Sequence, residues 1–263
     1  MSQTDTGRIV TERQGHILII TFDRPAKYNG FTPEMGEQLA RAYTLLETDP
    51  DLWIGVVRAE GRHFTAGLDL PRWAPSMASG QPMWPTDLID PFDLREPRRS
   101  KPVLVAVKGI TFTLGIELML AADIVVAADD CRFSQLEVKR GLLATGGATL
   151  RMAERAGKGN ALLLLLTGDE FDAPTALRLG FVQKVVPTGT EFDEVMAIAR
   201  RIEAVAPLAV REVIRSVRLA DESGPLAAAA EFQSRQKFLS GTDDFREGVQ
   251  SFVERRPAAF QGR

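Results

Sequence analysis

The chain has 263 residues and a mass of 28.9 kDa, room for one large domain or one domain with a smaller appendage. Lys and Arg number 32 against 35 Asp and Glu, a formal net charge of −3, and aromatics are 7%. That balance excludes a binder relying on a large basic excess or on stacked bases. A single cysteine, Cys131, excludes an intrachain disulfide, and two histidines without a Cys-x-x-Cys pair exclude a zinc site of the usual spacing. The charged start of the chain forms no signal peptide, and the longest aliphatic run, Ala161 to Leu166, is too short to span a bilayer. The expectation is a soluble, cytoplasmic protein without membrane association.

In chain order, two β-rich runs flanking Gln14-Gly15 predict a hairpin from Arg8 to Phe22. Thr32-Pro33-Glu34 reads as a helix start: a capping hydroxyl, a proline at the first turn and an acid where the dipole favours it. Met35, Leu39, Tyr43 and Leu46 continue it with an apolar stripe, and Trp53 to Val57 reads as a strand. The pattern then repeats, with strands predicted at Val103 to Val107 and Ile124 to Ala128 around a helix over Gly115 to Ala122. Helices over Ala161 to Leu166 and Pro174 to Leu179 precede a last strand at Phe181 to Val186. From Glu191 onward four helices are expected, broken near Pro207, Gly224-Pro225 and Gly241-Thr242. The organisation read from this is an α/β core over 1–190 and a helical C-terminal part over 191–263. Residues 71–102 stand apart, with seven prolines interleaved with Trp73, Trp84 and Phe92. Prolines this dense exclude long helices and central strands, leaving a surface connection or a lid or pocket wall.

No phosphate-loop, dinucleotide or serine-hydrolase pattern occurs, and Gly146-Gly147 reads alone as a turn. Glu117 is the most informative residue. It sits in Leu114-Gly115-Ile116-Glu117-Leu118-Met119-Leu120, apolar in every helical direction, so the helix and its carboxylate are buried together. Burial raises a carboxyl pKa and suits it to acid/base work, although a structural carboxylate bonded to backbone is the alternative. Composition around Glu137 favours a solvated face, Asp69 reads as a cap or turn residue and His63 as a packed histidine. The Arg98-Arg99-Lys101 cluster is solvated or meets an anion.

Together these segments resemble a known family. GRHFTAGLDL (61–70), KPVLVAVKGITFTLGIELMLAADIVVAADDCRFSQLE (101–137) and GLLATGGATLRM (141–152) resemble signatures of the enoyl-CoA hydratase/isomerase, or crotonase, superfamily. FDRPAKYNGFTPEM (22–35) and EGVQSFVERRPAAF (247–260) match it as well, so the resemblance covers nearly the whole chain. It implies a spiral of repeated ββα units followed by helices that assemble a homo-trimer or a dimer of trimers. It implies an acyl-CoA thioester as the bound partner, coenzyme A being part of the substrate, with no separate cofactor and no metal.

The implied chemistry is stabilisation of a thioester enolate in an oxyanion hole, for which the resemblance names the N–H groups of Ala66 and Leu114. Glu117 and Glu137, twenty residues apart as in the hydratases of the family, then acquire catalytic roles. Glu117 would activate and position water, and Glu137 would protonate the α-carbon of a 2-enoyl-CoA. The substrate-binding positions implied are Ala26, Tyr28, Ala66, Leu68, Asp69, Leu70, Leu114 and Thr145, while Arg255 or Arg256 would meet phosphates of CoA on a neighbour. Three departures stand out: Thr113-Leu114-Gly115 in place of three glycines, Ala144-Thr145 in place of Pro-Gly, and Tyr28-Asn29-Gly30 in place of an Asn-Ala pattern. An isomerase or acyl-CoA hydrolase on the same scaffold, with one active glutamate, is the alternative enzyme. A non-catalytic, RNA-associated scaffold is the alternative from another class, which the charge balance and both retained glutamates disfavour.

Overall fold

The computed structural model describes residues 6–263. It begins with the expected hairpin, β1 (Arg8–Gln14) antiparallel to β2 (Ile17–Asp23). β1 is largely exposed and β2 almost wholly buried, so β1 shields the edge of a sheet whose interior starts at the second strand. Helix α1 (Pro33–Thr48) starts where the sequence indicates: Thr32 Oγ1 accepts the Met35 N–H at 3.2 Å. A cap of this kind is worth about 1 kcal/mol. Met35, Leu39, Tyr43 and Leu46 all face the core.

Strands β3 (Ile54–Ala59), β4 (Val103–Val107), β6 (Ile124–Ala128) and β9 (Lys184–Val186) extend the sheet in parallel, in the order β1-β2-β3-β4-β6-β9. Their Val- and Ile-rich runs suit strands covered on both faces. A second, three-stranded sheet is built from β5 (Ile110–Phe112), β7 (Arg132–Ser134) and β8 (Phe171–Asp172). The repeat is therefore concrete. In β4-β5 and again in β6-β7, the first strand joins the large sheet, and after a short turn the second joins the small one. Thr65, bridged in parallel to Thr111, is the corresponding position after β3.

Three segments thus run side by side in parallel, Thr65, β5 and β7, and end at one edge. The chain leaving each is, respectively, the 66–69 loop, helix α3 (Leu114–Ala121) and a 3-10 turn (Glu137–Arg140). The carboxyl ends of parallel strands are where α/β folds gather ligands.

Helix α2 (Leu70–Ala78) occupies the start of the proline-rich segment, which the sequence reading left without an element. Pro71 sits in its first turn, where its missing N–H costs nothing, and Pro75 limits it to nine residues. Trp73, Trp84 and Phe92 are buried and anchor the segment to the core, while residues 77–82 between the two tryptophans are exposed.

After α4 (Ala148–Ala156), α5 (Lys158–Thr167) and α6 (Ala173–Arg178), the late strand is shorter than predicted. Phe181 and Val182 are buried outside it as packing residues, and only Lys184–Val186 pairs. The C-terminal helices are α7 (Glu191–Glu203), α8 (Pro207–Ser223), α9 (Pro225–Ser240) and α10 (Asp243–Glu254), broken where expected. The first of these helices packs against the large sheet. Val195 and Ala199 of α7 belong to the same buried cluster as Ile54, Val56, Leu104 and Val126, so α7 covers the large sheet. The loosely packed part begins with α8, and Leu226 and Phe252 beyond it are 86% and 83% exposed.

Candidate active site

The 66–69 loop is held by the turn before α1. Asn29, fully buried, accepts the Arg24 N–H and donates to Glu60 O and His63 O. Thr65 Oγ1 donates to Asn29 O, and the Ala66 N–H donates to Tyr28 O at 2.9 Å. The Ala66 N–H, expected as an oxyanion donor, thus already has an acceptor inside the protein. The neighbouring bridge is made by Phe31 N–H to Gly67 O and Asp69 N–H to Phe31 O, which turns the Leu68 N–H the opposite way. Among the described residues no acceptor meets the Leu68 N–H. Leu114, the first residue of α3, carries a second such N–H, as helix starts do. Both leucines line one cavity of about 200 Å³.

The peptides before these donors are tightly fitted. Gly67 has φ +98°, and a Cβ there would overlap Thr113 Oγ1. Thr113 itself has φ 48° and ψ −114°, a region that suits glycine and strains a β-branched residue. The threonine here is one of the sequence departures, and the left-handed backbone it occupies persists without glycine.

Glu117 is 5% exposed and lines the same cavity. The Gly146 N–H donates to its Oε1 at 2.6 Å and the Ala148 N–H to the same oxygen at 3.4 Å. Oε1 is therefore anchored and Oε2 remains for a ligand. A Cβ on Gly146 would lie 2.6 Å from Oε2 and 2.6 Å from Phe92 Cζ, so this glycine is needed for close approach. Arg151 holds the turn from outside, its guanidinium donating to Phe92 O at 2.7 Å and to Gly146 O at 3.4 Å. Burial, then the neighbouring Glu137 charge, pushes the Glu117 carboxyl up to about 7, against the pull of the two N–H donors.

Glu137 does not lie on a solvated face as composition suggested. It lines the cavity with Glu117, and its Oε2 is buried with no hydrogen-bond partner. Burial raises its pKa also. Burial of both carboxyl groups, with the Glu137 charge beside Glu117, favours the protonated form of each relative to a solvated carboxyl.

The other expected positions divide. Leu70 and Thr145 line this cavity together with Met77 and Met83 of the proline-rich wall. Asp69 lines an adjoining cleft that shares Ala66 and Leu68, with Lys27 and Arg72 nearby. Its carboxylate pairs with Arg24 at 2.9 Å. Ala26 and Tyr28 line neither space; Tyr28 instead stacks on His63. His63 Nδ1 accepts the Ile110 N–H at 3.0 Å, a packing and bridging role. The basic cluster is internal: Arg99 pairs with Asp123 at 2.7 Å, Arg98 with Asp93 at 2.8 Å, and Lys101 Nζ donates to Leu46 O and Asp49 O. Arg256 is engaged by Glu247 at 2.8 Å and by Glu254. Neither the direction of the Leu68 N–H nor the Gly146 bond to Glu117 follows from a side chain, so the sequence carries no signal for either.

The family model for enoyl-CoA hydratase/isomerase matches residues 12–263. The chain belongs to the enoyl-CoA hydratase/isomerase family. A crystal structure of a probable enoyl-CoA hydratase/isomerase from Mycobacterium abscessus superposes with a TM-score of 0.94 at 45% identity, covering 97% of this chain and 98% of that one. An enoyl-CoA hydratase of Mycobacterium tuberculosis is 33% identical over 260 residues, 97% of this chain and 96% of its own. A mevalonyl-coenzyme A hydratase of Beauveria bassiana is 33% identical over 256 residues, 92% and 90% of the two chains. The fold is the crotonase-type α/β spiral with C-terminal helices.

Proposed function

We propose that this enoyl-CoA hydratase family member adds water across the double bond of a 2-enoyl-CoA, with Glu117 and Glu137 as the acid/base pair and the Leu68 and Leu114 N–H groups as the oxyanion hole. One observation carries the reading: two carboxyl groups with free oxygens and two backbone N–H groups without acceptors among the described residues line a single cavity. The thioester oxygen accepts from both N–H groups, which favours the enolate as charge moves onto that oxygen. Water held by Glu117 Oε2 attacks the β-carbon and gives its proton to that carboxylate. The electron pair of the double bond passes to the thioester as enolate and is then protonated at the α-carbon by Glu137. In this reading both carboxyl groups approach the double bond from the same side, so the two bonds form on the same face of the substrate.

The coenzyme A arm leaves through the cleft containing Lys27, Asp69 and Arg72, which joins the cavity at Ala66 and Leu68. Coenzyme A is part of the substrate in this reading, and no separate cofactor enters. The exposed apolar side chains of α8 to α10, Leu226 and Phe252 among them, support a homo-trimer or dimer of trimers, which sedimentation measures. The activity test is a panel of 2-enoyl-CoA thioesters assayed for hydration, with Glu117→Gln and Glu137→Gln alongside. Turnover by the native enzyme that either variant retains in full would reject the paired-carboxylate mechanism. Loss confined to Glu137→Gln would favour isomerase-type chemistry on one glutamate.

A further inference from the structure

Arg140 is a cation lining the cavity that the hydration chemistry above leaves unused. It closes the 3-10 turn that begins with Glu137. Side chains three apart on such a turn eclipse one another, so Arg140 follows Glu137 onto the cavity face. Lys139 goes the other way, its Nζ donating to Gly168 O at 2.7 Å and lying 3.9 Å from Asp169. The Arg140 guanidinium donates to Lys139 O at 3.1 Å and forms no ion pair among the described residues.

The topology says which end of the substrate would meet it. Across the parallel edge the order is the 66–69 loop, then the start of α3, then the 137–140 turn. The coenzyme A cleft adjoins the first, the thioester oxygen sits between the first and second, and the third lies on the far side. Arg140 is therefore on the flank reached by the distal part of the acyl group. Its surroundings there are Leu136, Leu142, Leu143, Met77 and Met83, with no acidic side chain besides the two glutamates lining the cavity. Arg140 is exposed, so its unpaired guanidinium stands at the rim of the cavity and presents several N–H donors in a fork that fits a carboxylate.

We infer that Arg140 is a specificity residue, and that the cavity takes acyl-CoA thioesters whose chain ends in a carboxylate paired with its guanidinium. This inference rests on the thioester orientation given by the proposed function. It is tested without turnover, by calorimetric binding of saturated acyl-CoA thioesters of four to eight acyl carbons. Each is compared with the ω-carboxy thioester of the same carbon number. The native enzyme is expected to bind at least one carboxylate-tailed member about tenfold more tightly than its neutral counterpart. Arg140→Gln should remove that ratio, Arg140→Lys should keep part of it, and added salt should shrink it. Equal binding at every length, a ratio unchanged in Arg140→Gln, or equal weakening of both series in that variant would overturn the assignment. Binding of saturated thioesters is read separately from hydration, so tail discrimination without hydration would sink the hydratase reading alone. Hydration without tail discrimination would sink the Arg140 inference alone. With active enzyme, the discrimination should appear in KM more than in kcat.

Discussion

Two sets of groups line the cavity and are built by different means, although Leu114 and Glu117 share the first turn of α3. In the proposed mechanism the first set, the carboxylate wall, is Glu117 and Glu137, which act through side chains placed by a buried helix, a 3-10 turn and the Gly146 N–H. The second set, the donor wall, is Leu68 and Leu114, which act through the backbone while their side chains line the space. The carboxylate wall depends on residue identity. The donor wall depends on conformation: a loop stitched to Asn29 and Tyr28, and a helix start after a strained Thr113. Substitution therefore probes the first wall directly, whereas the second must be probed at the peptide bond.

The sharpest way to break this contrast lies on the carboxylate wall. Glu117→Gln and Glu137→Gln each preserve shape and a hydrogen-bonding side chain while removing the transferable proton. Each should lower kcat on a 2-enoyl-CoA by about 10²–10⁴-fold, the usual contribution of a positioned acid or base. The double variant should be far less impaired than the product of the two losses, because the pair acts as a unit. Full activity in either single variant would show that the donor wall carries the reaction with one carboxylate at most.

The donor wall is tested by replacing single amide bonds with esters in semisynthetic protein, which deletes one N–H and keeps the side chain. Loss of the Leu68 N–H should cost about 10²–10³-fold in kcat, as deletion of an oxyanion donor does elsewhere. Loss of the Ala66 N–H should act mainly on stability, by about 1 kcal/mol, since it breaks the bond to Tyr28 O. The reverse pattern would restore Ala66 as the donor.

This asymmetry also explains what could be read from the sequence. A charged residue in an apolar helix announces itself, so Glu117 was legible from periodicity alone. Repeated Val- and Ile-rich runs, the Thr32-Pro33 cap and the glycine breaks likewise mark eight of the ten described helices and the strands of the large sheet, whereas nothing comparable marks α2 and α4. Glu137 was less legible because its neighbours Lys139 and Arg140 are polar, and the fold turns them in opposite directions. The choice between Ala66 and Leu68 was not legible at all. In a continuous extended segment the N–H groups of residues two apart point the same way, so the free one is decided by the positive-φ Gly67 between them and by the bridge to Phe31. The packing of α7 on the sheet was hidden for the same reason: an amphipathic helix shows that it has a partner, not which one.

The carboxylate wall should also leave a mark on stability. Glu117 has its folded-state pKa raised from 4.5 to about 7, so its ionisation opposes folding. Its favourable contribution is fully present below about pH 4.5 and is lost as pH rises through 7. Glu117→Gln removes that dependence. In urea titrations the variant should therefore gain on the native protein by about 3 kcal/mol between pH 4.5 and 8.5. Glu137→Gln should narrow the same window, because it deletes the charge that repels Glu117. A pH-independent difference between native protein and Glu117→Gln would mean that the carboxyl is solvated.

The smallest effect belongs to the donor wall. Thr113 holds φ 48° and ψ −114°, and a residue in such a region costs about 1–3 kcal/mol. Glycine would relieve that cost while adding about 0.5–1 kcal/mol of unfolded-state entropy, so Thr113→Gly should stabilise the fold by about 1 kcal/mol. The Thr113 N–H still donates to Ser134 O in the variant, which keeps the start of α3 in place. Activity then tells whether the threonine does more than occupy the turn. Its Oγ1 lies where a Cβ on Gly67 would be, against the peptide that precedes the Leu68 donor. If that contact fixes the donor, Thr113→Gly should lower kcat several-fold while raising stability. A gain in stability with kcat unchanged would assign the placement of Leu68 to the Phe31 bridge alone.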